Sequence, residues 1–308
     1  MGGTAGGLRD VVPLAPFENQ VGGHTTMLRF SRRAVCKPLT SGENQFYERL
    51  EHEHPELLSF IPQYLGVLRF LLMEDLTGSL KSPCVLDLKM GTRQYGIFAT
   101  PEKRKSQIKK CDKSTSRELG VRLCGMQVFD ATANKYVFHD KYWGRKVSLP
   151  EFPHALASFI HDGSKLLVHH IPVIIRQLCR LAGIVIKINR YRLYAASLLF
   201  IYDGDPEVQN QYRRELEEET SLPRATFPPT HPNQPDVGFI LGLKSLCAAL
   251  KIVWREEQRR RLENGEKPLE DLKVEGDDVW HQIFGPGSSE FGLGEGPTEK
   301  EIWDLVSA

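Results

Sequence analysis

The sequence predicts an α+β chain with a small N-terminal lobe followed by a larger C-terminal one. Three observations predict it. The chain has 308 residues, 41% of them hydrophobic, enough for one large domain or two lobes, each with its own apolar interior. Short period-two runs give way to a helical pattern within the first 80 residues. The composition then changes at Pro83, where a β-branched strand carrying two charges begins a longer stretch of alternating strands and helices.

The elements follow in order. Residues 1–16 are rich in Gly and Pro and predict a flexible N-terminus. TTMLRF and RRAVCKPL alternate with the period of strands, and SGENQFYERLEHEHPELL turns helical, with Ser41 or Asn44 as the cap and Pro55 as the stop. The run from Tyr64 to Glu74 reads as one buried strand, which completes a small α+β lobe over 17–80. In PCVLDLKMG the period of two projects Asp87 and Lys89 onto one face. Such a pair is a site candidate, or an ordinary surface ion pair on an edge strand.

Thr100, Pro101 and Glu102 open a helix through KRKSQIKKCDK, with Thr100 as cap and proline at the first position. Lys103, Gln107 and Lys110 fall at i, i+4 and i+7 on one face. Between Arg93 and Arg122 there are nine basic residues and three acidic ones. In a chain of net charge +1, that is a local anion-attracting patch rather than a global one. A solvated helix face is the plainer reading of Lys-rich sequence, but the strand-borne Asp87 and Lys89 just upstream favour a phosphate-rich ligand. The helix has no interleaved aromatics for stacking bases, so no nucleic acid partner is expected.

GVRLCGMQVFD and KYVFHDKYWGRK read as paired strands around a turn at Thr132 to Asn134. EFPHALASFIHDG and KLLVHHIPVIIRQLCRLAG carry core-facing apolar residues at helical spacing, among them Leu167, Ile171, Ile174, Leu178 and Leu181. His161, His169 and His170 have no partner at metal-ligand spacing and read as structural or exposed rather than as ligands. YRLYAASLLFIYDGD is a further strand, 205–235 a polar, proline-rich loop, and DVGFILGLKSLCAALKIVWREEQRRRLENG a long helix. A Gly-rich segment, GPGSSEFGLGEGP, precedes a short amphipathic end.

Six cysteines lacking a CxxC pair or zinc spacing predict reduced thiols filling the core. The start has no apolar secretory segment, and Gly6 breaks the myristoylation pattern. No apolar run is expected to reach membrane-spanning length, the nearest, Lys165 to Ile188, being broken by His169, His170, Arg176 and Arg180. A soluble protein of cytoplasm or nucleus without a membrane partner is the expectation.

PCVLDLKMG fits the PxxxDxKxG signature of the inositol polyphosphate kinases. The resemblance extends through GTRQYG, KSQIKKC, STSRELGVRLCGMQV, DKYWGRK, FIHDG and ASLLFIYDG, and upstream through QVGGH, CKPL and ENQFYERL. It spans roughly Phe17 to Leu250 and is greatest for the inositol hexakisphosphate kinase branch, the fungal type in particular. Several ordered motifs are stronger than one short pattern.

The resemblance implies a two-lobed, kinase-like α+β fold with ATP and Mg2+ between a small lobe at 17–80 and a large lobe at 81–308. It implies that Lys37 pairs with ATP phosphates, that Glu74 and Leu76 bind adenine through their backbone, and that Leu198 floors that pocket. Asp87 would orient or deprotonate the acceptor oxygen, Lys89 would neutralise charge between donor and acceptor, and Lys103, Gln107 and Lys110 would hold substrate phosphates. The implied activity is ATP-dependent phosphorylation of inositol hexakisphosphate to a diphosphoinositol product, or a broader multikinase activity.

One motif departs. The family carries an IDFA-like strand, whose Asp holds magnesium, before the segment seen here as Asp236-Val237-Gly238-Phe239. No DFA or DFG occurs between Asp205 and Asp236. The magnesium ligand is therefore unassigned, with Asp203, Asp205 and Glu207 as substitutes. A second reading follows, a catalytically impaired protein that binds inositol polyphosphate and ATP.

Overall fold

The computed structural model describes residues 14–22, 25–39, 41–67, 70–96, 99–188, 192–218, 236–276 and 278–284. The chain divides into two compact units, Met1–Ser79 and Leu80–Ala308.

The described residues of the first unit form an antiparallel sheet with one α-helix and a 3-10 helix at Pro55–Phe60. Its strands are β1 (Ala15–Pro16), β2 (Leu28–Ser31), β3 (Ala34–Pro38), β4 (Tyr64–Val67) and β5 (Phe70–Glu74), in the order β1-β2-β3-β5-β4. Helix α1 (Ser41–Glu53) follows β3. Val35, Tyr47, Leu71 and Met73 are buried together, with Phe17, Met27 and Tyr64 packed against them. The Tyr47 and Tyr64 rings stack 5.7 Å apart. Burial, then the neighbouring Glu43, pushes the Tyr47 hydroxyl pKa up to about 12.

Three expectations are corrected here. Residues 15–16 belong to the sheet rather than to a loose N-terminus: Ala15 pairs with Arg29, and the Phe17 N–H donates to the Met27 carbonyl at 3.1 Å. Tyr64 to Glu74 is two antiparallel strands, with Val67 opposite Leu71 and a register shift at Gly66 (φ +138°), a conformation glycine adopts readily. Ser41 is the first residue of α1, so Asn44 lies within the helix.

The second unit is built on a four-stranded antiparallel sheet. Its first elements are β6 (Pro83–Met90), α2 (Pro101–Asp112), α3 (Ser116–Leu119), β7 (Val121–Asp130), β8 (Lys135–His139) and α4 (Lys141–Lys146). There follow α5 (Phe152–Phe159), α6 (His170–Val185), β9 (Ser197–Asp203), α7 (Pro206–Glu218), α8 (Val237–Glu263) and α9 (Val279–Phe284). The strand order is β8-β7-β6-β9. Leu86, Leu88 and Met90 of β6 are fully buried, each contributing about 2 kcal/mol of apolar burial. That term exceeds an exposed ion pair several-fold, so the apolar face anchors β6 while Asp87 and Lys89 project from the other.

Helix α8 packs on α5 and α6 and reaches β6 and β7. A Cβ on Gly242 would lie 2.4 Å from the Gly120 carbonyl oxygen and 2.8 Å from Met90, so its glycine permits the close crossing. Against the expectation that no apolar run reaches membrane-spanning length, α8 holds an 18-residue window of mean hydropathy 1.7, 61% buried within the protein. Contacts with other elements of the unit account for its apolar character.

Two further expectations are corrected. KYVFHDKYWGRK is a strand only to His139, because the Asp140 carboxylate accepts the Tyr142 and Trp143 N–H groups at 3.0 and 2.9 Å and starts α4. The loop read over 205–235 is helical at Pro206–Glu218. Asp205 caps it by accepting the Glu207 and Val208 N–H groups, both at 3.1 Å, and Pro206 takes the first position. Residues 219–235, which include RATFPPTHP, and the Gly-rich end at 285–308 lie outside the described residues.

Candidate active site

Antiparallel pairing of β6 with β9 runs without interruption from Pro83↔Asp203 to Lys89↔Ser197, so Asp87 and Lys89 share one face. Asp87 is 4% exposed, and its Oδ1 is buried without a hydrogen-bond partner. Such an oxygen is costly to bury and is available to a donor from a ligand. Lys89 Nζ donates to Ser197 Oγ at 2.8 Å and to the Ala195 carbonyl at 3.2 Å.

On the other flank of β6, the pairing with β7 slips between Asp87↔Gly125 and Leu88↔Leu123. Cys124 is the extra residue of that bulge. Burial raises the Cys124 thiol pKa, and Asp87 raises it further, while Lys89, Arg122 and Arg145 pull it down. This half-buried thiol thus lies within electrostatic reach of all four charges.

Lys110 extends the same field. Partial burial lowers its ammonium pKa, and Arg145, Lys103, Arg122 and Lys141 lower it further. The capped helix α2 carries Lys103 and Lys110, with Thr100 Oγ1 accepting the Lys103 N–H at 3.2 Å. Gln107 lies between them on the same helical face, half-buried. Arg122, 6% exposed, donates to Ser116 Oγ at 2.9 Å, and its pKa is lowered by burial. Helix α4 brings Lys141 and Arg145 close because Gly144 lies on β7: a Cβ there would sit 2.5 Å from the Leu123 carbonyl oxygen.

The second unit thus sets Asp87 and Lys89 within electrostatic reach of the thiol that Arg122 and Arg145 also act on, and sets those two arginines within reach of Lys110, with Lys103 and Lys141; the spacing did not mark Lys141 and Arg145. The signal for the last two was the Asp140 cap, which turns DKYWGRK from strand to helix and sets Lys141 and Arg145 one turn apart. Leu198 of β9 is half-buried opposite Leu88.

In the first unit Lys37 of β3 meets Glu43 of α1 at 2.6 Å, an arrangement like the strand lysine and helix glutamate of protein kinases. Glu43 too was unmarked. Glu74 ends β5 opposite Ala34, and its N–H donates to the Gln63 carbonyl at 2.9 Å. Leu76 follows it, 38% exposed.

The three substitutes for a magnesium carboxylate are engaged elsewhere. Asp203 accepts backbone N–H groups from Lys81, Ser82 and Asp205 at 2.7, 2.9 and 3.0 Å. Asp205 caps α7, and both Asp205 and Glu207 pair with Lys81 at 3.5 and 3.3 Å. Asp203 also lies opposite Pro83, four residues along β6 from Asp87, about 13 Å at strand rise. Among the described residues there is no cluster of three His, Cys, Asp or Glu side chains able to hold a metal. Asp203, Asp205 and Glu207 are therefore each committed to protein partners, and a magnesium held by one or two carboxylates and nucleotide phosphates does not need such a cluster.

His169 and His170 both place Nε2 on Gln209 Oε1, at 2.9 and 2.8 Å, while the Gln209 amide donates to the Asp203 carbonyl at 2.6 Å. They tie α6 to α7 and the end of β9.

The sequence profile of the family described as "Inositol polyphosphate kinase" matches residues 70–251. The chain belongs to the inositol polyphosphate kinase family. It is 43% identical over 229 residues to an uncharacterized inositol polyphosphate kinase of Schizosaccharomyces pombe, covering 66% of this chain and 24% of that protein. It is 37% identical over 245 residues to inositol hexakisphosphate kinase 1 of Saccharomyces cerevisiae, covering 70% and 23%. The chain thus spans about a quarter of the length of these two relatives. Among solved structures, the inositol phosphate multikinase Ipk2 of S. cerevisiae, in complex with ADP and Mn2+, superposes with a TM-score of 0.60 at 25% identity, over 72% of this chain and 99% of that one.

Proposed function

We propose that this chain is the core of an ATP-dependent inositol polyphosphate kinase that phosphorylates inositol hexakisphosphate to a diphosphoinositol product. One observation carries the reading: a buried carboxylate and an ammonium share one strand face, and Arg122 and Arg145, which act on the Cys124 thiol beside them, act also on Lys110 together with Lys103 and Lys141. A highly anionic acceptor repels an incoming phosphoryl group, and fixed cations offset that repulsion.

In the proposed step an acceptor oxygen attacks the γ-phosphorus of ATP, the bond to the β,γ-bridging oxygen breaks, and ADP leaves. Asp87 takes the proton where the acceptor is a hydroxyl and orients it where the acceptor is a phosphate oxygen. Lys89 neutralises charge between donor and acceptor. Lys103, Gln107 and Lys110 hold the remaining phosphates. In the first unit, Lys37 pairs with the nucleotide phosphates and the backbone of Glu74 and Leu76 contacts adenine; in the second, Leu198 offers an apolar contact to it. No step is assigned to a metal.

The engagement of Asp203, Asp205 and Glu207 favours a second reading, a protein that binds inositol polyphosphate without useful turnover. One experiment separates them. The chain is given ATP, Mg2+ and inositol hexakisphosphate, product is quantified, and binding is measured in parallel. Transfer abolished by Asp87→Asn with binding retained supports the kinase. Tight binding without transfer by the unaltered chain supports the second reading. Absence of both overturns the family of readings.

A further inference from the structure

The turn that leads into β9 is built around the Lys89 ammonium. The Ala196 N–H donates to the Leu193 carbonyl at 3.1 Å, closing a turn whose third residue, Ala195, has φ +57°. Glycine or asparagine takes that position in such turns at little steric cost, so an alanine there is strained. The strain has a visible product, because the Ala195 carbonyl accepts from Lys89 Nζ at 3.2 Å while Ser197 Oγ accepts from it at 2.8 Å. Backbone strain held beside a candidate catalytic group is a reason to ask what the surrounding structure gains from it.

The turn is locked from two sides. The Met90 N–H donates to the Ala196 carbonyl at 3.0 Å, tying it to the end of β6. Asp236 accepts the Leu193 N–H through Oδ2 at 2.8 Å and the Phe239 N–H through Oδ1 at 3.1 Å, so the residue that caps α8 also holds the turn. An ammonium has three N–H donors. With one directed at the turn carbonyl of Ala195 and one at Ser197 of β9, rotation of the third is restricted.

We propose that residues 193–197 form a cradle that orients the Lys89 ammonium toward the anion, with Ser197 as its positioning residue. This rests on the reading of Lys89 as a polyphosphate contact. An exposed lysine loses side-chain freedom on binding a phosphate, and prior orientation by Ser197 and Ala195 reduces that loss. The cradle therefore acts through Lys89, and removing Lys89 removes its effect.

The test is a double-mutant cycle read by calorimetric titration of inositol hexakisphosphate into the full chain. Lys89→Ala is expected to weaken binding about 10-fold and Ser197→Ala about 5-fold, the scale of a single net hydrogen bond. Ser197→Thr, which keeps the hydroxyl, restores binding to within about twofold. Ser197→Ala added to Lys89→Ala is expected to do nothing further. Equal weakening by Ser197→Ala with and without Lys89 overturns the proposal, because it marks a merely structural role. Unchanged binding in Ser197→Ala beside weakened binding in Lys89→Ala overturns the cradle alone. Unchanged binding in Lys89→Ala overturns the reading of Lys89, and the cradle with it. Thermal melting of each variant separates misfolding from lost affinity.

Discussion

Asp203 at the end of β9 grips Lys81 by its backbone: the carboxylate lies 2.7 Å from the Lys81 nitrogen, and its other oxygen accepts the Ser82 and Asp205 N–H groups. Three amide donors converge on one carboxylate, so it organises the approach to β6 and the start of α7. An Asn at this place has one acceptor oxygen and turns an NH2 group toward an N–H. Asp203→Asn is expected to destabilise the chain by about 2 kcal/mol, the scale of unsatisfied buried donors. Thermal denaturation measures this, and hexakisphosphate affinity is expected to change less than about threefold at a temperature where the variant is folded. A variant that melts like the parent but loses metal-dependent turnover would contradict the structural role.

Lys37 and Glu43 form the only ion pair among the described residues that joins β3 to α1. Removing the lysine by Lys37→Met is expected to lower phosphoryl transfer at least about 100-fold, as loss of a preorganised cation does. Glu43→Gln keeps the lysine but loosens it, and a smaller loss, about 10-fold, is expected. Steady-state kinetics with varied ATP check both values.

Lys110 offers a pH dependence of known sign. Burial and the cations around it depress its pKa, and a polyanion beside it raises that pKa again. Binding therefore takes up a proton at alkaline pH, and affinity for inositol hexakisphosphate falls as pH rises through the range where free Lys110 loses its charge. Calorimetry in buffers of different ionisation enthalpy detects the uptake. Lys110→Met and Arg145→Ala are each expected to weaken binding about 10-fold and to make it less sensitive to salt.

His170 couples stability to acid. Burial, and then the adjacent His169, lower its pKa from 6.5 to about 4, although the Gln209 bond opposes the shift. Between pH 6.5 and about 4 the unfolded chain binds a proton that the folded chain does not. Stability from this group is thus complete above pH 6.5, falls as pH drops and is lost by about pH 4, a difference on the order of 3 kcal/mol. His170→Phe, which retains a ring against Tyr202 and Tyr212, is expected to flatten the fall in unfolding free energy between pH 6.5 and 4.5. An unaltered slope would assign the acid sensitivity elsewhere.

Much of this architecture was legible along the chain. The strand of Asp87 and Lys89 and the capped helix of Lys103, Gln107 and Lys110 are local patterns, because strand alternation and helix capping depend on near neighbours. Local chemistry also explains two of the misreadings. Asp140 and Asp205 each stand one residue before a helix of largely polar sequence that hid its periodicity, and only the cap hydrogen bonds reveal where the chain turns helical. Tyr64 to Glu74 failed differently: two adjacent antiparallel strands have the same apolar composition as one long strand.

Residue order alone set the charge pattern of β6, the helix that carries the lysines, the apolar faces that become the core, and the motifs shared with inositol polyphosphate kinases. Which distant charges meet was decided by tertiary structure. Arg122, Lys141 and Arg145 join Lys110 because the bulge at Cys124 and the bare backbone of Gly144 let α4 settle on β7. Likewise, Asp203 serves the backbone rather than a metal because the end of β9 meets the residues before β6. Electrostatic fields and hydrogen-bond commitments depend on separation in space, and contacts between strands and helices far apart in sequence create that separation only when the chain has folded.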